Sequence, residues 1–304
     1  SFAGLDMVRA CHPAKTTRGP GGSATGINSA KFHFKGRTAH AGGDPHNGRS
    51  ALDAVGLMNV GAQYLREHVT SDVRIHYTIT EGGVAPNIVP DKACVWYYVR
   101  SLSRDGVVDV YDRLVKVAKG AAMMTETEVE IEFLGGCYNT LNNKVFADVL
   151  YDCMKEAPRD AFTEEEKAFA KKINEGSPKQ YEVALKADNL PAGTQLHEGL
   201  IDNIPFNSFG SYDVGDVQYI VPGIMFTTAC WAVGAVGHSW QVTSCAGSSI
   251  GEKGTIYAAK IMALWGLKNL EDPSILSAAK EEFDKVTGGK PYVCPIPADV
   301  PIPE

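Results

Sequence analysis

The segment from residue 28 to residue 138 alternates between two hydrophobic periodicities, and this alternation restricts the fold more than any other feature of the sequence. Residues 128–133 have an apolar side chain at every second position, which is typical of a half-exposed strand. From Ala51 to Leu65 the apolar residues recur at helical spacing. The patterns follow in the order strand, helix, strand, strand, helix, strand. That order predicts a ferredoxin-like α+β domain (βαββαβ), in which two helices cover one face of a four-stranded sheet.

A polar loop joins the first strand of this predicted domain to its first helix. It runs from Gly36 to Ser50 and carries two histidines, His40 and His46. Pro45 interrupts the loop, and Ser50 is a candidate cap for the helix that follows. Because loops held between regular elements often carry reactive side chains, this loop is the first place to look for a functional residue. We interpret His46 as a structural or surface residue.

Two further histidines lie near the ends of the chain, each after an apolar stretch. His12 follows residues 5–11 and precedes Pro13, so it is either a ligand at the end of a strand or a residue at an ordinary strand exit. His238 stands between Gly237 and Ser239, directly after the apolar residues 224–236. A histidine next to a glycine at the end of a buried strand has little reason to be there for packing. His238 is therefore a candidate functional residue.

Two polar residues flank a predicted strand in the middle of the α+β domain. Asn87 lies between Pro86 and Pro90, which restrict the backbone and fix the direction of its amide. It is either a turn residue or a contact to a ligand. Arg100 ends the strand, where a guanidinium suits bidentate capture of a carboxylate, although a surface ion pair would also explain it.

The second half of the chain contains two acidic features with simpler explanations. Residues 163–166 open a charged helix with a capping-box pattern, which we interpret as a surface insertion. His197-Glu198 suggests a metal site, but the pair lacks the His-Glu-x-x-His spacing, so a role in shaping a pocket is the alternative.

Composition excludes several classes of protein. Hydrophobic residues make up 44% and charged residues 21% of the 304 positions, which is typical of a soluble globular protein. The net charge is −7 and no basic run occurs, so the sequence predicts no nucleic-acid partner. The longest apolar run is too short to span a membrane. The seven cysteines are scattered without a Cys-x-x-Cys spacing, which indicates reduced thiols and a cytoplasmic location.

Four motifs, taken together, resemble the aminoacylase and carboxypeptidase family of zinc-dependent peptidases and amidohydrolases. They are Asp6-Met7 with His12-Pro13, the His40 loop with Ser50-Ala51-Leu52-Asp53-Ala54, the turn Gly210-Ser211-Tyr212-Asp213, and Gly237-His238-Ser239-Trp240-Gln241. The likeness is greatest to the branch that acts on p-aminobenzoyl-glutamate. The resemblance extends over nearly the whole chain, but the chain corresponds only to the later part of the family's sequences.

The resemblance implies an α/β fold in which a partial zinc-peptidase-like catalytic domain carries an inserted lid, or dimerisation, domain. The ferredoxin-like segment would be that lid. The implied boundaries are 1–27 for the first remnant of the catalytic domain, 28–138 for the lid, and 139–304 for the second catalytic part. The charged helical insertion falls near 160–200 within the last segment.

The resemblance also implies a role for each candidate residue. The implied metal ligands are His12 and His238, and the catalytic residue is His40, which would reach the active site of a partner subunit and donate to the tetrahedral intermediate. The implied substrate contacts are Asn87 and Arg100. Asp213 and Asp216 would orient a metal-binding histidine, although both are equally explained as turn-forming aspartates.

The implied reaction is hydrolysis of the amide bond of an N-acyl amino acid, such as p-aminobenzoyl-glutamate, by two divalent metal ions, zinc or manganese. The implied partners are a small amide substrate, a second copy bound through the lid, and an A-type subunit. The remaining ligands and the general base belong to motifs that precede His12 in the family and do not occur here. We therefore expect a fragment of a longer protein that by itself has little or no activity and does not hold metal tightly.

Two alternatives to this interpretation remain. One is a non-catalytic dimerisation or binding module that keeps the family scaffold, which the absent ligands favour. The other is an unrelated two-domain α/β protein with structural histidines. Metal analysis of the intact gene product would separate an enzyme from a binding module.

Overall fold

The computed structural model describes residues 2, 4–201, 207–298 and 300 of the chain, which divides into two compact units. Unit 1 is assembled from three stretches of sequence: Ser1–Gly22, Leu141–Phe206 and Val217–Pro291. Unit 2 comprises Ser23–Thr140, Asn207–Asp216 and Tyr292–Glu304.

The regular elements of the described residues are named in chain order. The strands are β1 (Val8–Ala14), β2 (Gly26–Lys35), β3 (Arg74–Glu81), β4 (Lys92–Ser101), β5 (Glu128–Cys137) and β6 (Gly223–Ala229). The helices are α1 (Ala51–Arg66), α2 (Arg104–Thr125), α3 (Lys144–Glu156), α4 (Glu164–Glu175), α5 (Pro178–Ala187), α6 (Val214–Gln218), α7 (Trp240–Ala246), α8 (Ser249–Glu271) and α9 (Pro273–Thr287).

Unit 2 contains a four-stranded sheet whose strands lie in the order β3-β4-β2-β5, with every neighbouring pair antiparallel. Its elements follow in the predicted order, β2-α1-β3-β4-α2-β5. Alternate residues of the strands face α1 and α2, as the period-two pattern requires. The core between the sheet and the helices includes Phe32, Phe34, Val95, Met58 and Leu114.

Local signals in the sequence explain where the helices of unit 2 begin. Ser50 Oγ accepts a hydrogen bond from the backbone N–H of Asp53 (3.1 Å), and Ser103 Oγ accepts one from Gly106 (3.1 Å). Each serine thereby satisfies one of the backbone donors that a helix start leaves unpaired. The Ser50 cap that the sequence predicts is therefore present.

Unit 1 is built around the parallel pair β1–β6, in which Val8 is the partner of Gly223 and His12 the partner of Thr227. Helices α3, α8 and α9 contribute to the same core as these strands. Trp265 is completely buried, its ring meets that of Phe146 edge to face (5.0 Å), and its Nε1 donates to the carbonyl of Phe146 (3.2 Å).

The charged segment near residues 160–200 is helical, but it is not only a surface feature. The predicted capping box is present, because Thr163 and Glu166 exchange side-chain and backbone hydrogen bonds at the start of α4. Ala170 and Ile173 on α4 are buried in a small hydrophobic cluster of unit 1 that also contains Phe162. One apolar stripe is enough for a mostly polar surface helix to pack, and its interpretation as an insertion stays a prediction.

Candidate active-site residues

The His40 loop is closed at its base by paired backbone hydrogen bonds. The N–H of Arg37 donates to the carbonyl of Arg49 (2.9 Å), and the N–H of Arg49 donates to the carbonyl of Arg37 (2.8 Å). A Cβ atom at Gly36 would overlap that carbonyl of Arg49, so only glycine fits there. The loop is therefore held as a defined structure between β2 and α1.

The orientation and tautomer of His40 follow from two hydrogen bonds within the loop. Its Nδ1 accepts from the backbone N–H groups of Gly42 (3.2 Å) and Gly43 (2.9 Å). A ring nitrogen that accepts hydrogen bonds carries no proton, so Nε2 carries the proton of the neutral ring. His40 is exposed, and it therefore presents an N–H donor to its surroundings.

The loop that contains Asn87 lies directly against the His40 loop. The N–H of Ala41 donates to the carbonyl of Asn87 (2.9 Å), and the N–H of Val89 donates to the carbonyl of Ala39 (2.9 Å). His40 and Asn87 are far apart in sequence, yet these bonds bring their backbones together. Both side chains are exposed, so both are accessible to a ligand.

Arg100 lies at the end of β4, half-buried, in a different part of unit 2. Its Nη1 donates to Ser211 Oγ (2.9 Å) and to the carbonyl of Phe209 (3.2 Å). Its Nε is buried and has no hydrogen-bond partner among the residues that the structure describes. Among the described residues, the guanidinium is therefore positioned by neutral groups.

The two predicted supporting aspartates differ in their surroundings. Asp213 is exposed. Asp216 accepts hydrogen bonds from the backbone N–H of Tyr138 (3.3 Å) and from the hydroxyl of Tyr292 (2.9 Å), and burial raises the pKa of its carboxyl. The partners of Asp216 in unit 2 are thus tyrosines rather than a histidine.

The two predicted metal ligands, His12 and His238, both belong to unit 1 and are exposed. His12 lies within β1, and its Nδ1 donates to the carbonyl of Pro13 (2.6 Å), because a carbonyl can only accept. Metal-binding histidines commonly use one ring nitrogen in this way. His238 has a left-handed backbone (φ 55°) two residues before α7.

The described residues do not complete a catalytic metal centre. Among them, no three His, Cys, Asp or Glu side chains gather closely enough to hold one ion. A catalytic zinc usually has three protein ligands and one open position. The residues present therefore fit at most part of such a centre.

His197 and Glu198 have structural contacts. His197 is buried, and its Nδ1 accepts from the backbone N–H of Thr17 (3.1 Å). Burial, together with the nearby charge of Arg159, lowers the pKa of His197 to about 4. Glu198 accepts from the backbone N–H of Phe162 (3.2 Å). The pair therefore stabilises unit 1.

Arg74 is a candidate that sequence reasoning missed. It is the register partner of Arg100 on the adjacent strand β3, so the two side chains leave the same face of the sheet. The sequence contains no signal for this pairing, because the register of two strands is set by their three-dimensional alignment.

Comparison with known proteins shows what the chain is similar to. Residues 23–123 match the model of the peptidase dimerisation domain. The chain is 37% identical, over 290 residues, to the B-type subunit of p-aminobenzoyl-glutamate hydrolase from Escherichia coli K12, covering 89% of this chain and 60% of that protein. It is 27% identical to Xaa-Arg dipeptidase of Mus musculus, covering 93% and 57%. The chain thus spans less than two thirds of the length of these relatives.

A solved structure shares the fold. The crystal structure of an aminobenzoyl-glutamate utilization protein from Klebsiella pneumoniae superposes with a TM-score of 0.50 at 19% identity, covering 79% of this chain and 53% of that one. None of the helices in the described ranges combines the length and apolar character needed to cross a lipid bilayer.

Proposed function

We propose that this chain, whose residues 23–123 match the peptidase dimerisation domain and whose sequence is similar to a p-aminobenzoyl-glutamate hydrolase subunit, corresponds to the later part of a metal-dependent amidohydrolase. The proposed reaction is hydrolysis of the amide bond of an N-acyl amino acid, with p-aminobenzoyl-glutamate as the first substrate to test. Unit 2 supplies the dimerisation lid, and unit 1 is part of the catalytic domain. We propose that the full-length enzyme binds two divalent metal ions, either zinc or manganese.

The observation that carries this proposal is the fixed tautomer of His40. Amide hydrolysis passes through a tetrahedral intermediate whose oxygen carries negative charge, and a positioned donor stabilises it. Two backbone N–H groups occupy Nδ1 of His40, so its Nε2–H is the available donor. A neutral imidazole can donate without first being protonated. His40 is therefore suited to the oxyanion role.

Two other residues of unit 2 have proposed roles in binding the substrate. Asn87, beside the His40 loop, is proposed to contact the substrate amide through its exposed side chain. Arg100 is proposed to bind the carboxylate of the amino acid, since Ser211 and Phe209 orient its Nη1 and no acid pairs with it among the residues that the structure describes. In unit 1, His12 and His238 are proposed as two of the metal ligands.

An alternative function is a non-catalytic dimerisation or binding module, and the absence of a three-ligand cluster among the described residues favours it for this chain alone. The experiment compares the intact gene product with the 304-residue chain, each supplied with zinc or manganese and p-aminobenzoyl-glutamate. We expect turnover from the intact product and little or none from the chain. Equal rates from the two would contradict the proposal that the chain alone lacks part of the catalytic machinery. An intact product that neither binds metal nor hydrolyses the substrate would favour the non-catalytic binding module.

We also propose that two copies associate through the open edge of the sheet in unit 2. Strand β3 is an edge strand, and its Tyr77 and Ile79 are exposed. On α1 the exposed residues Leu57, Val60 and Tyr64 form an apolar stripe at helical spacing. An unpaired sheet edge and an exposed apolar stripe in the same unit suit pairing with a second, symmetry-related copy, and an A-type subunit would be the alternative partner.

Changing Val60 to lysine is expected to convert the dimer to a monomer, because the charge would be buried against the partner's apolar stripe. Sedimentation velocity measures the result. Val108→Lys on α2 is the matched control, since Val108 is also an exposed helical valine but lies outside the proposed interface. A Val60→Lys protein that remains dimeric would exclude this surface.

A further inference from the structure

The outer face of the sheet in unit 2, opposite α1 and α2, carries three aligned cross-strand pairs between β3 and β4. The pairs are Arg74 with Arg100, His76 with Tyr98, and Thr78 with Trp96. The intervening residues of β4, such as Val99, are buried on the helix side. Successive pairs on one face are about 7 Å apart. The face is thus a strip with cations at one end and aromatic rings along it.

The two arginines at the end of the strip have an unbalanced positive charge. Like charges directly opposite on neighbouring strands destabilise a sheet. Neither guanidinium forms an ion pair with a carboxylate among the residues that the structure describes. Arg74 donates to the carbonyls of Ser71 and Val73 (both 2.8 Å), and Arg100 donates to Ser211 and Phe209.

The same residue, Phe209, holds both guanidinium groups. The Arg74 guanidinium carbon lies 4.3 Å from the centre of the Phe209 ring, while Arg100 donates to the Phe209 carbonyl. The two positive charges also affect His76, which belongs to the next pair on the strip. The pKa of His76 is lowered by its partial burial and by the positive charges of Arg100, Arg66 and Arg74. These contacts hold two guanidinium groups on one face of the sheet, with no carboxylate paired to either among the described residues.

An aromatic recess adjoins these cations. It has a volume of about 240 Å³ and is lined by His76, Tyr77, Thr78, Trp96 and Tyr98. The Trp96 ring is fixed, because its Nε1 donates to Ser29 Oγ (2.9 Å) and Tyr98 meets it edge to face (5.4 Å). A cavity of about 150 Å³ is sufficient for benzene, so the recess can hold one substituted ring.

We propose that this strip binds an N-aroyl amino acid, with the aromatic ring against Trp96 and Tyr98 and a carboxylate between Arg74 and Arg100. The register provides the spacing: the recess begins one pair away from the arginines, so ring and carboxylate are separated by about 7–10 Å. That separation excludes a carboxylate attached directly to the ring, and it fits a ring joined to an amino acid through an amide.

This inference deepens the proposed function, on which it rests for the role of Arg100. It adds Arg74 as a second carboxylate contact and the recess as the site of the acyl group. An aromatic acyl group gains binding free energy by stacking on the aromatic side chains and by leaving water. The two guanidinium groups fix the carboxylate through charge-assisted hydrogen bonds. The proposed preference is therefore for aromatic over aliphatic acyl groups.

The test measures binding rather than turnover, by isothermal titration of the 304-residue chain. The probes are p-aminobenzoyl-glutamate, N-acetylglutamate, which lacks the ring, and p-aminobenzoic acid, which lacks the spacing. We expect p-aminobenzoyl-glutamate to bind at least about tenfold more tightly than either of the others. Equal affinity for N-acetylglutamate would overturn the role of the recess without the need for any variant.

Variants then test the individual contacts. Arg74→Met and Trp96→Leu are each expected to weaken binding of p-aminobenzoyl-glutamate at least about tenfold, whereas Arg113→Met, which changes an arginine on α2, is expected to leave it unchanged. Unchanged affinity in Arg74→Met would overturn the proposal. Suppose that Arg74→Met and Trp96→Leu weaken binding, that Arg113→Met does not, and that the intact gene product still fails to hydrolyse the amide. Such a result would contradict the proposed function but not the binding site.

Discussion

Replacing His40 with alanine in the intact gene product is expected to lower kcat by about 10²–10³-fold, the loss typical of removing one oxyanion donor. The bound metal content should stay the same, because His40 is proposed to contact the reacting oxygen and not the metal. The measurement pairs steady-state kinetics with metal analysis of the same samples. An equal loss of metal and activity would refute the assignment.

The same loop offers a matched control for this substitution. His46 is exposed, and its Nε2 lies 3.4 Å from the carboxylate of Asp44. His46→Ala should therefore leave kcat nearly unchanged. His40→Gln should retain more activity than His40→Ala, since its amide can supply a donor near the position of Nε2. A defect in His46→Ala as large as that of His40→Ala would point to the loop as a whole instead of one donor.

The free energy of unfolding is expected to fall by about 2 kcal/mol between about pH 7 and pH 5 because of His197. In the folded chain its pKa is about 4, below the ordinary value of 6.5 that the unfolded chain recovers. As the pH falls below that ordinary value, the unfolded state binds a proton that the folded state does not. The contribution of His197 to the free energy of unfolding is therefore complete above about pH 7. It decreases as the pH falls, until the pH reaches the pKa that His197 has in the folded chain. Denaturant titrations at each pH measure this slope.

A substitution isolates the contribution of His197. His197→Asn keeps an acceptor for the N–H of Thr17 but does not titrate, so the slope over the same pH range should decrease. The same titrations on His46→Asn, which makes the same substitution at an exposed histidine, serve as the control. Glu166 and Asp72, each with a pKa lowered to about 2, contribute mainly below this range. An unchanged slope in His197→Asn would contradict the explanation.

The order of elements in unit 2 could be predicted because each element carries its own signal. The apolar stripe of α1, the cap at Ser50 and the alternation in β5 are properties of short stretches of sequence. The pairing of Arg74 with Arg100 could not be predicted in this way. The β3–β4 register contains an irregularity between Ile79 and Glu81, and only the folded sheet fixes which side chains meet.

The candidate site shows the same limit. The sequence indicates His40 and Asn87 separately, whereas the hydrogen bonds that join their loops depend on tertiary structure. The spacing around His197 disfavours a metal ligand, but its hydrogen bond from Thr17 and the effect of Arg159 on its pKa involve residues that are distant in the sequence. The assignments of His12 and His238 as metal ligands, and of Asp213 and Asp216 as their supports, stay predictions.

The pairing of β1 with β6 has a consequence for how the chain acquires its structure. Val8 meets Gly223, so this sheet cannot close until synthesis has passed Ala229. The sheet of unit 2, from Gly26 to Cys137, is complete in the nascent chain much earlier. Contacts between sequence-distant segments form slowly, and domains generally fold as units. The sheet edge proposed to mediate dimerisation can thus form on the ribosome before β6 is available to pair with β1.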